Sequence, residues 1–377
     1  QRDLERAGYT IDTSTTPLDG RYHAVVLNSC TVKNPSEQAI STVQRKCEEL
    51  NLPFVIAGCV PQADPRHTWC GAKCSVVGVD RLHDVTTAVE RAAQGEGCSF
   101  LNRGPLVDVT EHARANPFID IVVACTGCQM ACAYCKTKHA RGGLRSYPVD
   151  EVTRRVAAAV DAGVKEIRLT GEDIGAYGLD IGETLPTLLR SLVDVIGDRA
   201  MLRVGMINPP YVIRYFDELV AVLQRPNVFR FLHIPIQSGS TRVLDAMHRK
   251  YTREEFDDVV ERLKAAVPGM TIATDIICGF PTETDEDHQQ TLECLRRYRL
   301  PIVNISQMYI RPGTEAAQYK KLDSKVVKQR SREVTETFES YRTYDALVGT
   351  TTRVWVHEIA HDKVSYAAHD INFVQVI

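Results

Sequence analysis

From residue 119 onward the chain repeats one pattern six times: a short run rich in aliphatic and β-branched residues, then a longer polar stretch of helical character. The runs lie at 119–124, 166–170, 201–205, 231–235, 271–279 and 302–309. Strands separated by helix-length segments pair in parallel through crossover helices. Six such units predict an α/β fold built on a parallel barrel, complete or partial, in which polar motifs at the carboxyl ends of the strands face one mouth. Thr252 followed by Glu255 predicts a capping box on one of the intervening helices.

The flanks read differently. Runs at 24–28, 54–58 and 75–79 are strands of a small parallel α/β unit, and Asn34 with Pro35 marks the start of a helix running towards Leu50. Residues 320–344 are polar and basic with little apolar surface, which predicts a connector helix. After Thr350 come short β runs, TTRVWVHE, KVSYAAH and NFVQVI, the start of a small β domain with too few strands to close. The expected boundaries are therefore 1–113, 118–346 and 350–377, in keeping with a length of 377 residues, which favours two or three domains.

Composition excludes several classes. With 44% apolar and 25% charged residues this is an ordinary soluble composition. No apolar run reaches the roughly 18 residues of a membrane span, and the polar start is neither a signal nor a transit peptide. Twelve cysteines without a secretory start read as reduced thiols for metal or redox chemistry, pointing to the cytosol. A net charge of −3 gives no global attraction to nucleic acid, so an RNA substrate would need a local basic patch.

Directly after the first barrel strand stands CTGCQMACAYCKTKHARG, in which Cys128, Cys132 and Cys135 form C-x3-C-x2-C. Three thiolates on one tight loop can hold three irons of a cubane and leave the fourth open for another ligand. The rival is a zinc knot with Cys125 as fourth ligand, although zinc sites usually separate their cysteine pairs by a dozen or more residues. Cys125 itself reads either as a small buried residue at the strand end or as a neighbour of the cluster. Polar strings follow the other strands: LTGED at 169–173, INPP at 207–210, HIPIQSGS at 233–240, GFPTET at 279–284 and YIRPGT at 309–314. Each alone could be a loop, but their order at successive strand ends is hard to attribute to packing.

With Tyr134 before its last cysteine, the motif resembles the radical S-adenosylmethionine (SAM) superfamily. The resemblance implies that Cys128, Cys132 and Cys135 hold a 4Fe-4S cluster whose open iron chelates the amino and carboxylate groups of SAM, with Tyr134 beside adenine. Gly171, Glu172 and Asp173 would receive the SAM amine or ribose, and Asn208, Gln237 and Ser238 would line the same pocket. Glu172 could instead be a solvated loop carboxylate.

In the amino-terminal unit, LNSCTV and AGCVPQ place Cys30 and Cys59 beyond the ends of parallel strands, where α/β sheets hold ligands. There the resemblance narrows to the radical SAM methylthiotransferases, in which these cysteines bind an auxiliary 4Fe-4S cluster together with a third cysteine from an earlier element that this sequence does not contain. Cys47, Cys70, Cys74 and Cys98 read as structural or surface thiols, with Cys70 and Cys74 a weak metal pair at most. LNSCTVKNP, CKTKHARG and TDIICGFP look most like the eukaryotic and archaeal branch that modifies N6-threonylcarbamoyladenosine at tRNA position 37.

That branch implies an enzyme that replaces the hydrogen on adenine carbon 2 with a methylthio group, a C–H bond no protein base can usefully deprotonate. The implied cofactors are two 4Fe-4S clusters and SAM, cleaved to a 5'-deoxyadenosyl radical by an electron from a flavodoxin or ferredoxin-type reductase. The implied partner is the anticodon stem-loop of ANN-decoding tRNAs, where a loop base is splayed out at small cost. Lys136, Lys138, Arg141 and Arg145, with His139, are the local basic patch that would meet the RNA backbone, or else a solvated basic loop. The β domain would be the start of a TRAM module gripping the stem-loop, and its shortness implies weaker tRNA binding. The protein is expected to be a cytoplasmic monomer without a membrane segment in this chain, with an anchor to the cytosolic face of the endoplasmic reticulum left to a tail outside it. Still open at this stage are a methylthiotransferase for isopentenyladenosine or a ribosomal-protein aspartate, and a non-catalytic RNA-binding adaptor with structural zinc.

Overall fold

The computed structural model describes residues 1–13, 18–31, 34–64, 74–108, 114 and 116–377, with the backbone alone at 34–39. The chain forms two compact units, one of Gln1–Ala113 with Cys135–Gly143, the other of Arg114–Tyr134 with Leu144–Ile377.

The first unit is a parallel four-stranded sheet in sequence order: β1 (Val25–Ser29), β2 (Phe54–Gly58), β3 (Cys74–Val77) and β4 (Ser99–Phe100). Helix Asn34–Glu49 crosses from β1 to β2, and the side chain of Asn34 lies outside the described residues. All five residues of β2 are buried, as a central strand covered on both faces requires. Val55, Ala57 and Val77 pack with the helix Val85–Ala93 on one face, while Ile40, Cys47, Phe54 and Ile56 fill the other.

The second unit carries all six expected strands, opening with β5 (Ile119–Val123). A short antiparallel pair, β6 (Cys125–Thr126) with β7 (Arg145–Ser146), brackets the cysteine loop. Then come β8 (Glu166–Thr170), β9 (Met201–Arg203), β10 (Phe231–His233), β11 (Thr271–Cys278) and β12 (Ile302–Gln307). The order β5-β8-β9 continues through parallel bridges at Leu202–Val228 and Met206–His233 into β10-β11-β12. Among the described residues β5 and β12 do not pair, so this is an open, six-stranded (βα)6 partial barrel. Helices cover it with faces of fully buried residues, such as Leu185, Leu188, Leu189 and Leu192 of Leu185–Ile196. The capping box at Thr252 and Glu255 is present, and Thr284 with Asp287 forms a second one. Under β5, Asp120 is fully buried and both its oxygens accept from Arg155, at 2.8 and 2.7 Å.

The helix expected as a connector is instead part of the barrel wall. Ser324–Glu339 packs along β12 and the helix Asp285–Tyr298, with Val327 against the backbone of Gly279. Its burial is carried by an ion pair rather than an apolar stripe: Arg330, nearly enclosed, donates to Glu283 at 2.8 Å and Asp285 at 2.7 Å.

The carboxyl-terminal runs form the antiparallel sheet β13 (Val354–Ile359), β14 (Tyr366–Asp370) and β15 (Gln375–Val376), with a bulge between Val356 and Glu358. It packs on the amino-terminal ends of the barrel strands, where Trp355 and Phe373 meet Phe229 edge-on at 5.9 and 5.0 Å. His369 reaches Glu166, the first residue of β8, at 3.1 Å, and stacks on His357 at 4.4 Å. This sheet therefore caps the end of the barrel opposite the polar strand-end motifs.

Candidate active site

The cysteine loop leaves the barrel between β6 and β7 and is tied to the next strand end. The backbone N–H of Gly127, a residue with φ of 77°, donates to Glu172 at 2.9 Å. Gly171 leaves room for Cys125: a Cβ there would lie 2.6 Å from its sulfur. Cys125 is fully buried, its pKa pushed up by burial and then by the carboxylates of Glu172 and Asp173, and its sulfur lies 3.9 Å from the Asp173 carbonyl. That is the environment of a packed thiol, not of a thiolate ligand.

Cys128 and Cys132 are half-buried, and both sulfurs accept hydrogen bonds. The N–H of Met130 points at Cys128 Sγ at 3.3 Å, and the Arg249 guanidinium donates to Cys132 Sγ at 3.1 Å. These sulfurs thus fit the thiolate ligands of an iron-sulfur cluster. Among the described residues, the one His/Cys/Asp/Glu trio whose ligand atoms all lie within 4.8 Å of one another is Glu166, His357 and His369, far along the chain from the cysteine loop. The two imidazoles there are stacked nearly parallel, 21° apart, so their lone pairs do not converge on one ion.

Arg249 is the residue that sequence reasoning missed. It lies 117 residues from Cys132, is 7% exposed, and donates to Asn208 Oδ1 and to the Tyr251 hydroxyl as well as to the cysteine. Burial works against its charge, but Tyr134, Tyr251 and Cys132 around it hold its pKa well above the ordinary value. The string HRKYT just before the Thr252 cap was the available signal, unread because nothing in it names a partner.

The other expected residues converge on the same mouth with distinct tasks. Asp173 is fully buried; Oδ1 accepts the Asn208 N–H at 3.2 Å, while Oδ2 has no hydrogen-bond partner among the described residues. Its pKa is raised by burial, against the pull of Asn208 and Arg249. Glu172 is therefore the clamp of the cysteine loop, and Asp173 offers the unsatisfied oxygen. Gln237 adopts a left-handed backbone, φ 69°, and bridges to β11 through hydrogen bonds with Asp275 and Ile277. Ser238 is buried, its hydroxyl accepting from the N–H of Ser240 at 3.3 Å. Tyr134 is half-buried against Val243, Met247 and Phe280.

In the amino-terminal unit the register Ser29–Gly58 makes Cys30 and Cys59 the next residues off two adjacent parallel strands. Ser29 locks the two exits together, its hydroxyl donating to Ala57 at 2.6 Å and accepting from Val60 at 3.2 Å. Gly58 is required at this crossing: its φ is 101°, and a Cβ would press on Asn28 and Ser29 at 2.8 Å. Cys30 is exposed, whereas Cys59 packs with Ala63, Val79 and Ala140. Ala140 belongs to the helix Thr137–Arg141, which follows Cys135 and is pinned by Arg103, donating to its carbonyl at 3.1 Å. Within this unit, the helix that follows Cys135 is thus anchored beside Cys59.

Lys136, Lys138 and Arg141 lie in this helical segment of the first unit and Arg145 on β7 of the second; all four are half-buried and each engages other groups. Cys47 is buried with its pKa pushed up to about 11, and Cys98 contacts Ser75 at 3.3 Å, both structural. Cys74 is disulfide-bonded, which corrects the reading of all twelve cysteines as reduced thiols; Cys70 lies outside the described residues.

A partial barrel with a thiolate loop after its first strand is the architecture of one enzyme class, and the Radical SAM superfamily model matches residues 122–295. Solved structures agree on the fold: the radical SAM methyltransferase TsrM from Kitasatospora setae aligns with TM-score 0.55 over 78% of this chain and 66% of its own, at 16% identity. The cobalamin-dependent SAM radical enzyme OxsB aligns with TM-score 0.52 over 93% of this chain and 55% of its own, at 12% identity. Residues 122–295 therefore form a radical SAM domain.

Within that class, threonylcarbamoyladenosine tRNA methylthiotransferases from Danio rerio and Homo sapiens are 47% and 45% identical over 99% of the chain, covering 69% and 65% of those proteins. A probable threonylcarbamoyladenosine tRNA methylthiotransferase of Pyrococcus abyssi is 38% identical over 82% of the chain and 73% of its own length. The chain belongs to the threonylcarbamoyladenosine tRNA methylthiotransferase family. It spans about two thirds of the length of these curated relatives.

Proposed function

We propose that this chain converts N6-threonylcarbamoyladenosine at position 37 of ANN-decoding tRNAs to its 2-methylthio derivative. The observation that carries the reading lies within the amino-terminal unit: Cys30 and Cys59 leave adjacent strand ends, and the helix following Cys135 packs beside Cys59. Residues 1–113 act as the auxiliary-cluster domain, 118–346 as the radical SAM barrel, and 350–377 as the start of a TRAM module.

Cys128, Cys132 and Cys135 would hold one 4Fe-4S cluster, which supplies the electron for reductive cleavage of SAM. Cys30 and Cys59 would contribute to the second, which supplies sulfur. Glu172 fixes the loop through Gly127, and Arg249 donates to Cys132 Sγ while orienting Asn208. Asp173 Oδ2, buried and unpartnered, suits the ammonium group of SAM, and Tyr134 suits its adenine. Gln237 and Ser238 shape the wall of the same pocket, and Lys136, Lys138, Arg141 and Arg145 meet the RNA backbone. A flavodoxin or ferredoxin-type reductase delivers the electron, and the enzyme works as a cytosolic monomer. No helix among the described residues is long and apolar enough to cross a membrane.

Deleting the gene and digesting total tRNA to nucleosides tests the assignment. Loss of 2-methylthio-N6-threonylcarbamoyladenosine, with its unthiolated precursor accumulating, is expected; an unchanged level refutes it.

A further inference from the structure

On the barrel unit a pocket of about 390 Å³ opens beside the cysteine loop. Its apolar part is made by Met130, Leu179 and Pro210, and its polar part by Gln129, Tyr211, Arg214 and Lys250. Among the described residues, no acidic one lines it. Arg214 and Lys250 are exposed and form no ion pair among the described residues; Arg214 only lies over the ring of Tyr215 at 5.2 Å. Elsewhere on this unit, arginines such as Arg155, Arg242, Arg253 and Arg330 are each matched to a carboxylate. Two unmatched cations on one concave wall give that wall a positive potential that would attract an anion.

The walls are held in register with the cysteines. Met130 donates its N–H to Cys128 Sγ, and Lys250 directly follows Arg249, whose guanidinium holds Cys132 Sγ. Tyr211 comes from the helix Pro209–Arg214, which also presents Arg214. Its phenol hydroxyl is a hydrogen-bond donor at neutral pH.

Resting on the function proposed above, we propose that Arg214 and Lys250 form the receptor for the carboxylate of the substrate's threonylcarbamoyl group, with Gln129 and Tyr211 donating to its neutral oxygens. The substituent on N6 would enter this pocket while the adenine stays next to the cysteine loop. The threonyl carboxylate is the one charged group of this substituent, and an isopentenyl side chain has no charge at all, so a paired cation site there selects between the two modified bases. An RNA phosphate is the other source of a matching anion, and the experiment separates the two.

The test uses the reconstituted full chain and three anticodon stem-loops of one sequence, carrying adenosine, N6-isopentenyladenosine or N6-threonylcarbamoyladenosine at position 37. Wild type should bind the threonylcarbamoyl RNA about tenfold or more tightly than the other two, the scale of one or two charge-assisted contacts. Arg214→Ala with Lys250→Ala should erase that preference and leave affinity for the unmodified RNA as it was. Arg214→Lys, which keeps the charge, should retain most of the preference and guards against a folding defect. An equal loss on all three RNAs would assign the cations to phosphate and overturn the proposal, as would an undiminished preference in the double variant. If wild type shows no preference but still thiolates the threonylcarbamoyl RNA, the receptor fails and the assigned reaction stands. If it thiolates only the isopentenyl RNA, both fail.

Discussion

Replacing Arg249 with Met removes a buried positive charge while roughly keeping its length. The guanidinium stands 3.1 Å from Cys132 Sγ, a half-buried sulfur. With an effective dielectric of about 40, between the values for a protein surface and bulk water, a unit charge at that distance contributes roughly 2.7 kcal/mol. For a one-electron couple this corresponds to about 120 mV, since ~1.4 kcal/mol is tenfold and ~59 mV. That is a ceiling, because an added electron is shared over the whole cluster and only part of its charge reaches this sulfur. The expected result is a midpoint potential more negative by tens of millivolts, since losing a nearby cation disfavours the reduced state. EPR-monitored redox titration of the anaerobically reconstituted variant reads this directly, independently of turnover. An unchanged or more positive potential at full iron content would refute the reasoning. Arg249→Lys should fall between the two, because it keeps the charge but not the fork that also reaches Asn208 and Tyr251.

Other predictions follow from the same geometry. His357 has its pKa lowered from 6.5 by burial and then by His369, so it takes up a proton more readily unfolded. It therefore adds stability above pH 6.5 that is lost as pH falls below it; Glu166 is held below 4.5 because His369 and Arg168 outweigh burial, and it loses its contribution only at more acid pH. The thermal midpoint should drop on acidification from about pH 7 to 5, less steeply in His357→Phe, and identical slopes would show that His357 is not the sensor. Arg155→Met would leave the Asp120 carboxylate with the more distant Arg114 at 3.5 Å and should cost about 3 kcal/mol in urea unfolding. Adding Asp120→Leu should recover most of that, and a single-variant loss under about 1 kcal/mol would contradict it. Cys132→Ala should abolish SAM cleavage and Cys30→Ala should spare it while stopping sulfur insertion. Cleavage by the first variant, or thiolated product from the second, would reverse the cluster assignment.

What the sequence made legible was local or periodic. The six barrel strands announced themselves by spacing, and the cap at Thr252 by its partner three residues on. The second capping box escaped because Asp287 plays the part usually given to Glu or Gln. Residues 320–344 read as a solvated connector because they hold little apolar surface, whereas the helix is buried through Arg330, enclosed by its carboxylate partners. The basic string after Cys135 reads as an RNA-facing patch or a solvated loop, and neither reading shows that its helix turns Ala140 inward against Cys59. Arg249 and the pocket at Arg214 and Lys250 depend on contacts between segments far apart in sequence, which no local pattern encodes.

The central claim is that this chain inserts a methylthio group into threonylcarbamoyladenosine. Its most direct test is anaerobic reconstitution of the chain with iron and sulfide, incubation with SAM, a reductant and tRNA bearing that nucleoside, and mass spectrometry of the digested RNA. The account predicts 2-methylthio-N6-threonylcarbamoyladenosine, formed only when both cysteine sets are intact. SAM cleavage without any thiolated nucleoside from the fully loaded protein, or thiolation of isopentenyladenosine instead, would contradict it.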